Sequence, residues 1–170
     1  QGAHALNEVS AEALCRLHQS GEPVQAIHLT GTADRAAIEA RYQRAGMPHQ
    51  VFDFLKDMEK AYRAAHLAIC RSGAATCSEL AAFGVPALLV PLPTAARDHQ
   101  TANARAMQSS GAADMVQGRA SYGASAFAAR AAGDAATSNR FGPGRCRTHR
   151  IRRRKSRGFR AVPPTGHRWV

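Results

Sequence analysis

Apolar positions along residues 1–118 recur in two rhythms, one helical, at about 3.6 residues per turn, and one extended. Leu6, Val9, Ala13, Leu14 and Leu17 share one face at helical spacing, which predicts a helix over 5–20 stopped by Gly21. The run Val24 to Leu29 predicts a strand, with Thr30-Gly31 as the turn after it. Ile38 and Tyr42 mark the apolar face of a helix over 34–45, with Asp34 as its cap and Gly46 as its stop. The pattern then predicts a short strand at 50–54, a helix at 56–65, a strand at 67–70, a helix at 75–83, a strand at 87–90, a helix at 97–109 and a strand at 112–116.

Strands and helices that alternate through short connections predict an α/β domain with a parallel sheet and helices on both faces. In such a sheet, ligands bind at the carboxyl ends of the strands. That rule directs attention to the loops at 30–33, 53–56, 71–76 and 91–100.

The corner at Arg71 to Pro86, RSGAATCSELAAFGVP, is the sharpest of these. A strand delivers the chain to the sheet edge. Gly73 permits a tight turn and close approach of a ligand. The helix that follows offers backbone N–H groups without intrahelical partners, a natural seat for phosphate. Arg71 and Ser72 are candidate extra donors to the same anion. Thr76 and Glu79 fit a capping box, in which Glu79 would satisfy a backbone N–H at the helix start. Glu79 also has the two acceptor oxygens that a ribose diol needs, and the two roles are compatible. His99 and Gln100 open a polar helix start, DHQTANA, that points at the same sheet edge. On composition alone, a solvated helix start explains them equally.

These residues resemble those of a known family. CRSGAATCSELAAFGVPALLVPLP followed by DHQTANA is similar to the C-terminal half of MurG-type glycosyltransferases, family 28. QGA with Leu6-Asn7, His28-Leu29-Thr30-Gly31, and Phe54-Leu55-x-Asp57-Met58-x-x-x-Tyr62 agree in the same order, so the resemblance covers about residues 1–117. It implies a Rossmann-like parallel sheet, the donor half of a GT-B architecture. It implies transfer of GlcNAc from UDP-GlcNAc to lipid I to make lipid II in peptidoglycan synthesis, with inversion and no metal or other cofactor. Carried over by position, Gln1 would lie near the donor diphosphate and Leu55 against the uracil. Ser72, Gly73, Ala74 and Thr76 would line the diphosphate, with Arg71 beside them. Glu79 would bind the ribose, and His99 and Gln100 the donor sugar. Position 75 is Ala where the family more often has Leu, and 99 is His where some members have Gln. No catalytic residue is expected here. The general base, the lipid I site and the membrane-docking face belong to the other half, and the strand and first residues of the Gly-rich loop would precede Gln1. The fragment alone is therefore expected to be inactive and, with an open sheet edge, marginally stable. The intact enzyme would sit peripherally on the cytoplasmic face of the bacterial inner membrane. The donor half of another GT-B UDP-sugar transferase, such as a glycolipid synthase, and an inactive nucleotide-binding remnant remain as alternatives.

Charge divides the chain in two. Residues 1–118 carry a net −1 and residues 119–170 a net +12, within a total of +11. Arg145 to Arg160 alone holds nine Lys and Arg and no acid. The expected domains are thus 1–118, which binds the nucleotide sugar, and 119–170, a basic tail. The tail reads as a basic arm for nucleic acid or anionic lipid, a disordered tail, or a reading-frame slip in a GC-rich gene. Its Arg, Ala, Gly and Pro without periodicity favour the slip, and a nucleic-acid partner is not expected. No apolar run approaches the roughly 20 residues that span a bilayer. No signal-peptide pattern opens the chain. Cys15, Cys70, Cys77 and Cys146 lack metal-ligand spacing and read as reduced thiols of a cytosolic protein.

Overall fold

The structure, a computed structural model, describes residues 4–92, 98–116 and 168–170. Five helices and six strands follow in the order α1 (His4–Gln19), β1 (Val24–Leu29), α2 (Arg35–Arg44), β2 (His49–Phe52), α3 (Met58–Ala64), β3 (Ala68–Cys70), α4 (Ala74–Phe83), β4 (Ala87–Leu89), α5 (His99–Ser109), β5 (Ala113–Met115) and β6 (Arg168–Trp169) among the described residues. Every strand pairing is parallel. The expected α/β architecture is therefore present, but the strands form two ladders, β2-β1-β6 and β3-β4-β5, in place of one continuous sheet.

The strands are short and apolar because both faces are covered. Leu88 of β4 and Val90 just after it enter a core shared with Leu6, Leu14 and Leu17 of α1 and with Ile38 and Tyr42 of α2. The alternate residues Ala87 and Leu89 pack on the opposite face with Cys77 and Leu80 of α4 and Ala104 of α5. Leu67 and Ile69 join the first core, and Ala68 and Cys70 the second. The α1/α2 core thus runs beneath both ladders and makes them one layer.

Two local expectations change. Asp34 precedes α2, but its side chain makes no capping hydrogen bond. It accepts from Asn7 Nδ2 at 2.7 Å and pairs with His4 Nδ1 at 2.8 Å, tying α1 to the end of β1. The basic tail, expected to be irregular, ends in β6, whose residues pair with Val24 and Gln25. The rest of 119–170, including the stretch Arg145 to Arg160, lies outside the described residues. Cys15, Cys70 and Cys77 are free thiols, and Cys146 lies outside the described residues.

Candidate active site

The carboxyl end of β3 carries the chain through Arg71 and Ser72 into α4. Gly73 is the residue before the helix, at φ −63° and ψ 149°. Any residue adopts that conformation, so the turn does not require glycine. What glycine leaves is room: a Cβ at position 73 would meet only Thr76 Oγ1, at 3.8 Å. No side chain caps the helix, and Ala74 and Ala75 are exposed. The first N–H groups of α4 therefore face outward without a side-chain acceptor.

The capping box does not form. Because α4 starts at Ala74, Thr76 is its third residue and Glu79 its sixth, too far along to cap. Glu79 Oε2 instead accepts a 2.8 Å hydrogen bond from Tyr62 OH on α3. Burial and the Glu79 contact push the Tyr62 phenol well above its ordinary value, so it stays a donor to the carboxylate at neutral pH. Glu79 remains exposed, one and a half turns from the open end of the helix.

Ser72 is the buried hinge of the site, at 0 % exposure. Its Oγ donates to the Gln100 carbonyl at 2.8 Å, and its own carbonyl accepts from Asn103 Nδ2 at 3.0 Å. These bonds dock the start of α5 on the corner before α4. Gln100 Oε1 accepts from the Leu92 N–H at 2.9 Å, which leaves the NH2 group of its amide as a donor. His99 beside it is exposed. The Arg71 guanidinium braces the chain leaving β4, with Nη1 donating to the carbonyls of Val90 at 3.0 Å and Pro91 at 3.2 Å. Of the residues singled out from sequence, Arg71, Ser72 and Gly73 lie at the corner before α4, and Ala74, Thr76 and Glu79 in its first two turns, with Glu79 bonded toward α3. Ser72 is bonded to Gln100, beside His99 at the start of α5. Leu55 is half-buried in the loop after β2, and Gln1 lies outside the described residues.

Three residues beside the candidate site had no role assigned from sequence. Phe54, beside Leu55, is 73 % exposed, a large ring left in solvent at the carboxyl end of β2. Asn103 sits at i+3 from Gln100, on the same face of α5, a spacing that could have linked it to Ser72. Tyr62 as the partner of Glu79 has no local signal, because the pair spans two helices.

A second polar group lies behind the corner. His28 Nδ1 and Tyr42 OH share a 2.8 Å hydrogen bond, and His28 Nε2 lies 3.3 Å from Asn7 Oδ1. Asn7 Nδ2 donates to the Thr30 carbonyl at 3.0 Å as well as to Asp34. With Asn7 Oδ1 an acceptor, His28 donates from Nε2 and accepts the Tyr42 hydroxyl at Nδ1. Burial holds His28 down at about 4, so the ring is neutral. The hydrogen bonds from Asn7 and His4 hold the Asp34 carboxyl below its usual range. This network fixes the first turn of α1 against the end of β1.

Burial, with Cys77 nearby, pushes the Cys70 thiol up to about 12, and burial also raises Cys77. Among the described residues, no three of His, Cys, Asp and Glu gather as a metal site.

The family profile of the glycosyltransferase family 28 C-terminal domain matches residues 1–122. A UDP-N-acetylglucosamine–N-acetylmuramyl-(pentapeptide) pyrophosphoryl-undecaprenol N-acetylglucosamine transferase of Methylococcus capsulatus is 52 % identical over 115 residues, covering 68 % of this chain and 32 % of that protein. The protein of the same name from Syntrophotalea carbinolica is 49 % identical over 113 residues, covering 66 % and 32 %. The chain thus spans about a third of the length of these relatives. The crystal structure of Acinetobacter baumannii MurG superposes with a TM-score of 0.73 at 36 % identity, over 88 % of this chain and 43 % of that one. With the profile matched over most of its 170 residues, the chain belongs to glycosyltransferase family 28 and carries its C-terminal domain.

Proposed function

We propose that residues 1–118 bind the donor, UDP-GlcNAc, for a transferase that moves GlcNAc to lipid I and makes lipid II for peptidoglycan. The observation that carries this reading is the corner at α4. A helix start with no side-chain cap stands beside an exposed carboxylate that capping does not use. The names and identity of the curated relatives support the choice of sugar nucleotide and acceptor.

In this reading the diphosphate lies on the N–H groups of Ala74, Ala75 and Thr76, approached through the gap that Gly73 leaves. Glu79, oriented by Tyr62, accepts from both ribose hydroxyls. Leu55 and Phe54 cover the uracil. Gln1, at the entry to α1, lies near the diphosphate. His99 and the Gln100 amide bind the sugar. The acceptor's 4-hydroxyl attacks the anomeric carbon from the face opposite the UDP oxygen, the C–O bond to UDP breaks, and the configuration inverts. Negative charge grows on the diphosphate as that bond breaks, so N–H groups aimed at it bind the transition state more strongly than the ground state. The base that takes the hydroxyl proton, the lipid I site and a peripheral membrane contact at the cytoplasmic face would come from the acceptor-binding half. Among the described residues, no helix is long and apolar enough to cross a membrane. The tail, 119–170, takes no part in the site, and nucleic acid is not its ligand.

The test is calorimetric titration of the full chain with UDP-GlcNAc, beside Glu79→Ala and with GDP-mannose as a competitor. Binding that weakens about 10- to 150-fold in the variant, the range for losing hydrogen bonds to a charged group, and that GDP-mannose does not displace, supports the reading. Equal affinity in the variant, or displacement by GDP-mannose, rejects it.

A further inference from the structure

The hydrogen bond from Tyr62 to Glu79 ends a longer chain of contacts. The Tyr62 ring stacks on Phe83 of α4, with centroids 5.4 Å apart and planes 21° from parallel. The Arg63 guanidinium lies over the Phe83 ring, 5.6 Å from its centroid. Arg63 is held in turn by Glu59, with Nε and Nη2 each 2.7 Å from the same carboxylate oxygen. Tyr62 and Phe83 both rest on the core beneath α4. Phe83 follows Glu79 by four residues and so lies one turn further along the same face of the helix. At 1.5 Å per residue it stands about 14 Å along the axis from Ala74, away from the end that would seat a diphosphate.

An exposed glutamate is free to turn about its side-chain bonds, and Glu79 is exposed. To accept from two neighbouring hydroxyls at once, its carboxylate must be held in one orientation. Ordering one long side chain on binding costs about 2- to 12-fold in affinity. A phenol that already holds Oε2 lowers that cost. It takes one of about four acceptor positions on the carboxylate and leaves enough for a diol. The phenol can hold the carboxylate only as firmly as its own ring is held, and the stack on Phe83 holds the ring. Arg63, with Glu59, braces Phe83. We propose that Phe83 is a positioning residue for the ribose site: it touches no part of the nucleotide, and through the Tyr62 ring it fixes the Glu79 carboxylate for a vicinal diol. The site then prefers a ribonucleotide to its deoxy counterparts by a margin that depends on Phe83. This rests on the reading of Glu79 as the ribose acceptor.

The experiment compares UDP with 2′,3′-dideoxy-UDP, which keeps the base and the diphosphate and offers Glu79 no hydroxyl. Both are titrated by calorimetry into the full chain and into Phe83→Leu, Phe83→Tyr, Tyr62→Phe, the Tyr62→Phe/Phe83→Leu pair and Glu79→Ala. Phe83→Leu should weaken UDP about 2- to 12-fold and leave dideoxy-UDP unchanged, so that the preference for the ribonucleotide falls. Phe83→Tyr, which keeps the ring, should keep the preference. Tyr62→Phe should lower it at least as far as Phe83→Leu does, and the pair should match Tyr62→Phe alone, because Phe83 acts through that ring. Phe83→Met takes the place of Phe83→Leu should that variant not fold, and is read in the same way. The proposal is overturned if Phe83→Leu keeps the preference while Glu79→Ala loses it, since Glu79 then needs no help from the stack. It is also overturned if Phe83→Leu weakens both nucleotides alike, the mark of a structural role, or if the losses add in the pair, the mark of separate routes. If Glu79→Ala itself keeps the preference, the ribose reading of Glu79 fails and the proposal falls with it.

Discussion

Glu79 separates two physical roles that its sequence context merges. A capping glutamate would contribute about 1 kcal/mol to the fold when compared with alanine. In the structure it caps nothing and, itself exposed, accepts a hydrogen bond from the half-buried Tyr62. Glu79→Gln should therefore leave the unfolding free energy within about 0.5 kcal/mol of the parent, while weakening UDP-GlcNAc binding. Urea denaturation beside the titration checks both, and a loss of stability as large as a missing cap would restore the capping role. His28 makes the opposite kind of prediction, on the fold alone. Its folded value of about 4 lies below the unfolded 6.5, because burial disfavours the charged ring. Between those values the unfolded chain binds more protons, so stability is full above pH 6.5 and falls as the pH drops toward 4. The loss should total roughly 3 kcal/mol. His28→Gln should flatten that slope, read as denaturation midpoints at pH 7 and pH 4.5. An equal slope in the variant would assign the acid sensitivity to other groups.

At the scale of the element, α4 shows what the residue pattern reveals and what it hides. Gly/Pro punctuation and apolar runs were enough to locate every helix and strand from α1 to β5 to within about three residues. The helix start was harder. Thr-x-x-Glu looks like a cap, yet Gly73 holds that place, because Ser72 is pinned to α5 by Gln100 and Asn103 and the chain turns early. Local sequence carries no record of a bond made across 28 or 31 residues. The same holds for Asp34, whose side chain serves Asn7 and His4 and leaves the α2 cap empty. The Gly73 geometry yields a prediction that belongs to this scale. Its φ is negative and its Cβ direction nearly clear, so Gly73→Ala should fold as well as the parent, a smaller unfolded-state entropy offsetting a poorer N-cap. The added methyl stands where a diphosphate would approach the helix end, so affinity for UDP-GlcNAc should fall about tenfold or more. An unchanged affinity with an unchanged melting curve would place the diphosphate elsewhere.

At the scale of the whole molecule, the sequence reading could see the charge divide but not that the far end of the chain returns to the sheet. β6 lies within a segment of net +12 and pairs with a strand from a segment of net −1, and nothing in the periodicity of 119–170 announces it. That asymmetry also complicates any binding measurement, because a basic segment attracts every polyanion, sugar nucleotides included. Salt separates the two. Attraction to a tail is long-range and screened, with a Debye length near 10 Å at 0.1 M and about 3 Å at 1 M. A diphosphate held by N–H groups at a helix end, with its ribose on Glu79, depends on directed short-range bonds. Raising NaCl from about 0.05 M to about 0.5 M should therefore abolish retention of the chain on heparin or DNA, in line with counterion release, while UDP-GlcNAc affinity changes by no more than about threefold. If both fall together, the sugar nucleotide is bound by the tail's charge and the corner at Arg71 is not its site. If nucleotide binding survives alone, the corner is the site and the charge of residues 119–170 is incidental to it.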